Sequence, residues 1–397
     1  TMNGQEVIEN GVLVVKDNRI VKVCDATVYN NEELEEGNPR VIDCAGKTIM
    51  PGLINSHSHI TLWRSFGDIT MEKDIATEAL MACRNALNCI RKGITTIRDM
   101  GHNDHVHNEM KKAVKLGIVL SPRMYCAVGC IEMSHGHANH FCHCVGSPYE
   151  LVAEIRRQVN CGTDFIKLIA SHDDLYHLKT EEYAVPWFSE EDLKLAVQTA
   201  HEAYTRVAVH ANGRETIRRA LNAQVDCLEH GIGMTDELAC QMKQQGTYYV
   251  PTLTGYLENG RSKWRRGEEW TARYNDMWKL HEKSFVKAVE AGVTLVAGTD
   301  TLGDLNEEIA LFCKYGLSEH EALASATINA ARLIGVEDQI GSLEEGKFAD
   351  FIILEGDPLK DIGALYNVQS VSINGRLVDV EAINEIVTDS PVYIQGW

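Results

Sequence analysis

Apolar and polar positions change their rhythm twice along this chain. Up to about residue 48 short apolar runs alternate with turns, and Val12-Leu-Val-Val-Lys-Asp-Asn-Arg-Ile20 reads as two strands around an Asp-Asn turn. From Lys47 short apolar runs alternate with stretches of helical period, the signature of repeated β/α units. The strand runs are Thr48–Ser56, Ile94–Asp99, Arg123–Val128, Phe165–Ile169, Val207–His210, Cys227–His230, Tyr248–Thr252 and Leu295–Asp300. Helical stretches between them include Glu190–Ala203 and Lys279–Ala291, and Gly93 and Gly292 stand where helices should end. Eight such units over about 290 residues fit a closed barrel better than an open sheet. Gly346–Leu354 and Val368–Val378 then return to the strand pattern, with Asn374-Gly375 as a hairpin turn. The predicted class is α/β: a (β/α)8 TIM-like barrel over 49–345, with a small β-sandwich domain made from 1–48 and 346–397.

Composition narrows the function classes. With 397 residues, 44% of them apolar and 24% charged, the chain can bury a large core, which excludes disorder. Its formal charge of −19 opposes a phosphate-tracking surface, so nucleic acid is excluded as a partner. The twelve Cys contain no Cys-x-x-Cys pair and sit mostly in apolar runs, as expected of reduced thiols in a cytoplasmic protein. No apolar run reaches the length of a membrane span, and no membrane partner is expected. The chain begins only a few residues before Glu6–Gly11, so the native polypeptide is expected to start earlier.

His57-Ser-His59 closes the first barrel run, and side chains at i and i+2 of a strand share a face, so both imidazoles can meet one ion. Lys167 lies in the fourth run, His210 ends the fifth, His230 the sixth and Asp300 the eighth. All of these point to the C-terminal rim where barrel active sites form, and four His with one Asp make a metal-ligand set. Lys167 is the odd member, because an ammonium has no lone pair. Its ordinary reading is a salt bridge to Asp300 or a neighbouring acid; carboxylated by CO₂, it would become an anion able to bridge two cations.

This set resembles the amidohydrolase superfamily in its binuclear form with a carboxylated lysine. The matching stretches are Pro51-Gly-Leu-Ile-Asn-Ser-His-Ser-His59, Gly93-Ile-Thr-Thr-Ile-Arg-Asp99, Cys227-Leu-Glu-His-Gly231, Ala297-Gly-Thr-Asp300, Ala326-Thr-Ile-Asn-Ala-Ala331 and Gly341-Ser-Leu-Glu-Glu-Gly-Lys-Phe-Ala-Asp350. Within the superfamily the chain is similar to the Xaa-Pro dipeptidase and imidazolonepropionase-like branch. The resemblance implies that His57, His59 and Asp300 hold the more buried metal and His210 and His230 the more exposed one, with the Lys167 carbamate bridging them. It implies two divalent ions, zinc by default with Mn, Fe or Co admissible. A metal-bridging hydroxide would attack the substrate carbonyl, and Asp300 would carry the proton to the departing nitrogen.

The loop Met133–Cys144 replaces the diglycine that relatives usually show with Met133-Ser134; its best register gives the carbonyl contact to His135, with His137 as the alternative. Its crowded His and Cys fit a separate zinc site poorly. Asn212 stands where some dipeptidase relatives carry a carboxylate-binding Tyr, which weakens the case for proline dipeptides. Residues 253–281 hold Trp264, Trp270 and Trp278 with Arg265 and Arg266 among four Arg. They are read first as a helix packed on the barrel or a subunit contact, and second as a lid whose Arg grip a carboxylate. His102, His105 and His107 are expected as exposed loop residues, Asp99 as a structural hydrogen-bonding group, His172 as a support for the rim, and Asp173-Asp174 and Glu32–Glu36 as solvated turns. The expected activity is hydrolysis of an amide, peptide or cyclic-amide C–N bond in a small-molecule substrate by a homo-oligomer. A one-metal heterocycle deaminase and a non-catalytic scaffold are the competing readings.

Overall fold

The structure is a computed structural model and describes residues 1–4, 7–29, 39–65, 68–70, 75–101, 104–134, 136, 142–173, 184–261, 268–300 and 303–387. Its first element is the expected hairpin, Gly11–Lys16 against Arg19–Asp25, turning at Asp17-Asn18 with Asp17 at φ 55°. Lys47–Pro51 then pairs antiparallel with Phe351–Glu355, which pairs with Val368–Ile373, and that strand with Arg376–Asp379. Asn374 (φ 54°) and Gly375 (φ 77°) supply the two left-handed residues that a tight hairpin of this twist requires. Ile20, Leu343, Ala349, Phe351 and Ile353 form one apolar cluster between this sheet and the hairpin, with Leu13, Val15 and Val23 packed on it.

The run Thr48–Ser56, expected as one strand, is divided: Lys47–Pro51 belongs to the terminal sheet, and Leu53–Ser58 to the parallel strands. The junction is Gly52, where a Cβ would lie 2.1 Å from Thr95 Oγ1, so only glycine lets the chain cross between sheets. Leu53–Ser58, Ile94–Asp99 and Arg123–Cys126 pair in parallel in that order. A second set runs Cys142–Val145, Cys130–Met133, Phe165–Ile169, Arg206–Ala211, Cys227–His230, Tyr248–Val250. The third run links the two sets, since the Ala127 N–H donates to Asp99 O and the Asp164 N–H to Cys126 O.

The eighth run, Leu295–Asp300, is not a continuous strand. Only Leu295 and Asp300 form bridges, to Tyr249 and Ser58. Its hydrogen bonds are divided: the Val296 N–H donates to Tyr249 O, the Ala297 N–H to Ser325 O, and Ala297 O accepts from the Ser56 N–H. Helices lie between the parallel strands. Glu190–His201 matches its expected place, whereas the helix expected over Lys279–Ala291 starts earlier and spans Glu268–Glu290. Ile54, Phe165, Ala208, Cys227, Val250 and Val296 form a cluster among the parallel strands. Among the described residues no helix is long and apolar enough to cross a membrane. All twelve cysteines are free thiols.

Candidate metal centre

The imidazoles at the strand ends are fixed through Nδ1. His57 Nδ1 lies 2.7 Å from Glu229 Oε2, and His59 Nδ1 lies 3.1 Å from the Gly101 carbonyl oxygen. Both acceptors lack a proton, so Nδ1–H is the donor and Nε2 carries the lone pair. His230 Nδ1 lies 2.7 Å from Thr252 Oγ1, whose own proton is donated to the Pro251 carbonyl. The same tautomer follows for His230.

Those Nε2 atoms converge. His57 Nε2 and His59 Nε2 stand 3.7 Å and 3.6 Å from the same oxygen, Asp300 Oδ1. This is too long for a hydrogen bond but close to the separation, about 3.4 Å, of two ligands on one tetrahedral cation. One ligand atom each from His57, His230 and Asp300 falls within 4.8 Å of the others. The His210 and His230 ring centres are 4.5 Å apart, and those of His57 and His59 5.6 Å. Burial holds His57 and His230 well below the ordinary imidazole pKa, with Lys167 adding to the effect on His57 and His210 on His230. Neutral imidazoles are what a metal site needs.

Lys167 does not make the salt bridge of its ordinary reading. Its side chain is buried, and Nζ has no hydrogen-bond partner among the described residues. Burial pulls its pKa down, against the opposing pull of Glu229. An orphaned buried amine beside four imidazoles and a carboxylate fits a cationic cofactor reached through a modified lysine. The donor set therefore fits divalent metal.

Three neighbouring strand ends share an unusual backbone. His230 (φ 67°), Thr252 (φ 54°) and Asp300 (φ 59°) are all left-handed without being glycine. Such conformations are costly, most of all for β-branched Thr, and they cluster at functional sites. Gly298 makes room for this geometry, since a Cβ there would come 2.7 Å from His57 Cβ.

Sequence reasoning missed the support beneath the rim. Glu229 is fully buried; its Oε1 accepts from Arg98 NH1 at 3.1 Å and from the Cys227 thiol at 3.0 Å. The available signal was an acid inside an otherwise apolar strand run. Asp99 takes the structural role expected of it, accepting from the N–H groups of Ile60 and Gly101. His107 departs from expectation: it is fully buried on the helix Asp104–Lys115, with Nε2 2.5 Å from Asp99 Oδ1. That partner removes the cost of burying its ring.

His135, His137, Arg265 and Arg266 lie outside the described residues, as do Trp264, Asp174, Glu32–Glu36 and the side chains of His102, His105, Trp270 and Asp173. Asn212 is fully buried; its Oδ1 accepts from the Ile232 N–H, and its Nδ2 donates to the Tyr256 hydroxyl at 3.0 Å. The Tyr256 ring stands edge-on to His230, with centres 5.4 Å apart. His172 packs its ring against Trp187 at 5.7 Å. Tyr274, Met277 and Trp278 cluster with Ile232 and Tyr256, so this part of Glu268–Glu290 is a helix with its apolar side packed inward.

Comparison with known proteins agrees with this geometry. The model of the amidohydrolase family matches residues 48–378. Ochratoxinase of Aspergillus niger is 26% identical over 410 residues, covering 92% of this chain and 82% of the relative. A 5-methylthioadenosine/S-adenosylhomocysteine deaminase of Bacillus cereus is 27% identical, covering 89% and 83%. Among solved structures, a Xaa-Pro dipeptidase with methionine bound in its active site superposes with a TM-score of 0.82 at 29% identity, covering 92% of this chain and 94% of that one. Orphaned Lys167, the His57–His230–Asp300 cluster and the family match agree: the chain belongs to the amidohydrolase family and is a hydrolase acting on carbon–nitrogen bonds.

Proposed function

We propose that this chain hydrolyses the amide or peptide bond of a small N-acyl amino acid or dipeptide, or a cyclic amide, with two divalent metal ions. The observation that carries the reading is the convergence of His57, His230 and Asp300 next to a buried Lys167 Nζ that has no hydrogen-bond partner among the described residues. His57, His59 and Asp300 would hold one ion, His210 and His230 the other, and a carbamate on Lys167 would bridge them. The carbamate forms when the neutral amine adds to CO₂ and releases a proton, a step favoured by the lowered Lys167 pKa. When bound, the ions, zinc by default, supply Lewis acidity and lower the pKa of water toward neutrality.

The protein's own groups do the rest. Asp300, whose side chain is 22% exposed, is a rim carboxylate with access to a bound substrate; it takes the proton of the attacking water and passes it to the departing nitrogen. His135 is assigned the substrate carbonyl, with His137 as the alternative, and Asn212 is assigned a substrate contact relayed through the Tyr256 hydroxyl, since its own amide is buried. Arg265 and Arg266 are assigned a substrate carboxylate. The relatives named as ochratoxinase and Xaa-Pro dipeptidase favour a substrate with an amide or peptide bond. Deamination of a heterocycle with one ion is the second reading, carried by the deaminase relative; Lys167 in its rim position opposes it.

We also propose that the eight parallel runs close into a (β/α)8 barrel and that both chain ends form the flanking β-sandwich. Bonds from Tyr249 to Thr294 and from Ser56 to Ala297 support closure. The pairing of Lys47–Pro51 with Phe351–Glu355 supports the sandwich and moves its boundary to Gly52.

Metal analysis of protein grown with added zinc tests the core of the reading. About two ions per chain are expected for a two-metal site. A content well below one ion, with no gain on reconstitution, would refute it. Metal-loaded protein screened against N-acyl amino acids, dipeptides and lactams then identifies the substrate class; turnover of heterocyclic amines alone would favour deamination.

A further inference from the structure

We propose that Glu229, anchored by Arg98 and Cys227, is the positioning residue that fixes His57 in its metal-binding tautomer. This rests on His57 being a ligand, as proposed above. The two carboxylate oxygens have separate tasks. Oε2 faces His57 Nδ1 at 2.7 Å, while Oε1 accepts from Arg98 NH1 at 3.1 Å and Cys227 Sγ at 3.0 Å. Arg98 is itself pinned, donating also to the Ser56 carbonyl at 3.1 Å, with its guanidinium 4.3 Å from the centre of the Phe165 ring. All of these side chains are buried, so the carboxylate has no water to turn toward. With three donors on its two oxygens, one of them from a guanidinium, the Glu229 carboxyl group is fixed in orientation.

Consecutive residues of a strand point to opposite sides, so Glu229 and His230 should not both serve one site. The left-handed turn at His230 breaks that alternation. One strand end thereby delivers a ligand, His230, and the support for a ligand on a different strand, His57. The imidazole meets a carboxylate oxygen at Nδ1, which fixes the ring plane and makes Nε2 a stronger donor. At Nδ1, His59 meets the Gly101 carbonyl and His230 the Thr252 hydroxyl. Of the three imidazoles with a traced Nδ1 partner, His57 is the one whose partner is a carboxylate, so its ion should be the more tightly held.

The test is a zinc titration against a competing chelator, with thermal unfolding run alongside. Glu229→Gln is expected to weaken the tighter binding step by about 10–100-fold while the other step changes little. The charge-balanced pair Arg98→Gln with Glu229→Gln removes the unpaired buried guanidinium that the single change leaves, so it is expected to recover thermal stability but not affinity. Unchanged affinity in the single variant, or wild-type affinity in the pair, would overturn the proposal. Wild-type protein that binds no zinc would instead defeat the metal reading on which it rests.

A measurement on unsubstituted protein covers the case in which neither variant folds. With ¹⁵N-histidine labelling of the metal-free protein, the His57 signals, assigned by their loss in His57→Asn, should show a protonated Nδ1 and an unprotonated Nε2. The opposite tautomer would overturn the proposal even if the metal reading stands.

Discussion

The strand-end rim and the terminal sheet are built on opposite principles. In the terminal sheet Ile352, Leu354 and Val371 are fully buried, while Lys47, Glu355, Gln369 and Arg376 face solvent. The central strand is buried on both faces, with its charged residues at strand ends, and that apolar burial stabilises the fold. At the rim, His57, Lys167, Glu229 and His230 are buried as thoroughly as any core leucine. Each costs free energy unless partnered, and three strand ends add left-handed backbone to that cost. The contrast teaches where stability and chemistry reside: substitutions in the sheet should change folding and spare the chemistry, and substitutions at the rim should do the reverse.

Three experiments test that separation. Asp300→Asn should lower turnover by about 10²–10⁴-fold, the usual contribution of a general acid–base, while substantial metal is kept and the unfolding midpoint stays near wild type. Turnover within a few-fold of wild type would remove Asp300 as the proton carrier. Ile352→Ala should cost about 2–5 kcal/mol in urea unfolding with metal content per folded chain unchanged; loss of metal in parallel would show that the two regions are not separable. Lys167→Met should raise the stability of metal-free protein by about 1 kcal/mol, because it removes an orphaned buried amine, while abolishing the second metal equivalent. A lower melting temperature for that variant would mean that the Lys167 amine is satisfied in the fold.

How much of this was legible beforehand varies by element. Ile94–Asp99, Phe165–Ile169 and Cys227–His230 match their expected bounds, because continuous apolar runs between polar breaks leave few alternatives. Thr48–Ser56 misled because apolar residues continue on both sides of Pro51-Gly52, and the run reads across that break. The break there is decided by Thr95 and Asp350, both remote in sequence. Leu295–Asp300 misled because its hydrogen bonds go to partners on both sides and to Ser325. His107 read as exposed because its partner, Asp99, is on the preceding strand, and helix pattern alone does not show which polar residue turns inward.

The sequence by itself determined the order of the β/α units and the residue types at their ends. It did so because strand period and strand-end position follow from local pattern. The tertiary structure decided which of those residues meet, and through which atoms. That His57, His230 and Asp300 share one cluster, that Lys167 Nζ has no hydrogen-bond partner among the described residues, and that Glu229 turns to His57 rather than away all depend on contacts between strands far apart in the chain. They also depend on three left-handed turns that no residue type there favours. Local propensity cannot specify such turns, because the surrounding packing imposes them against it.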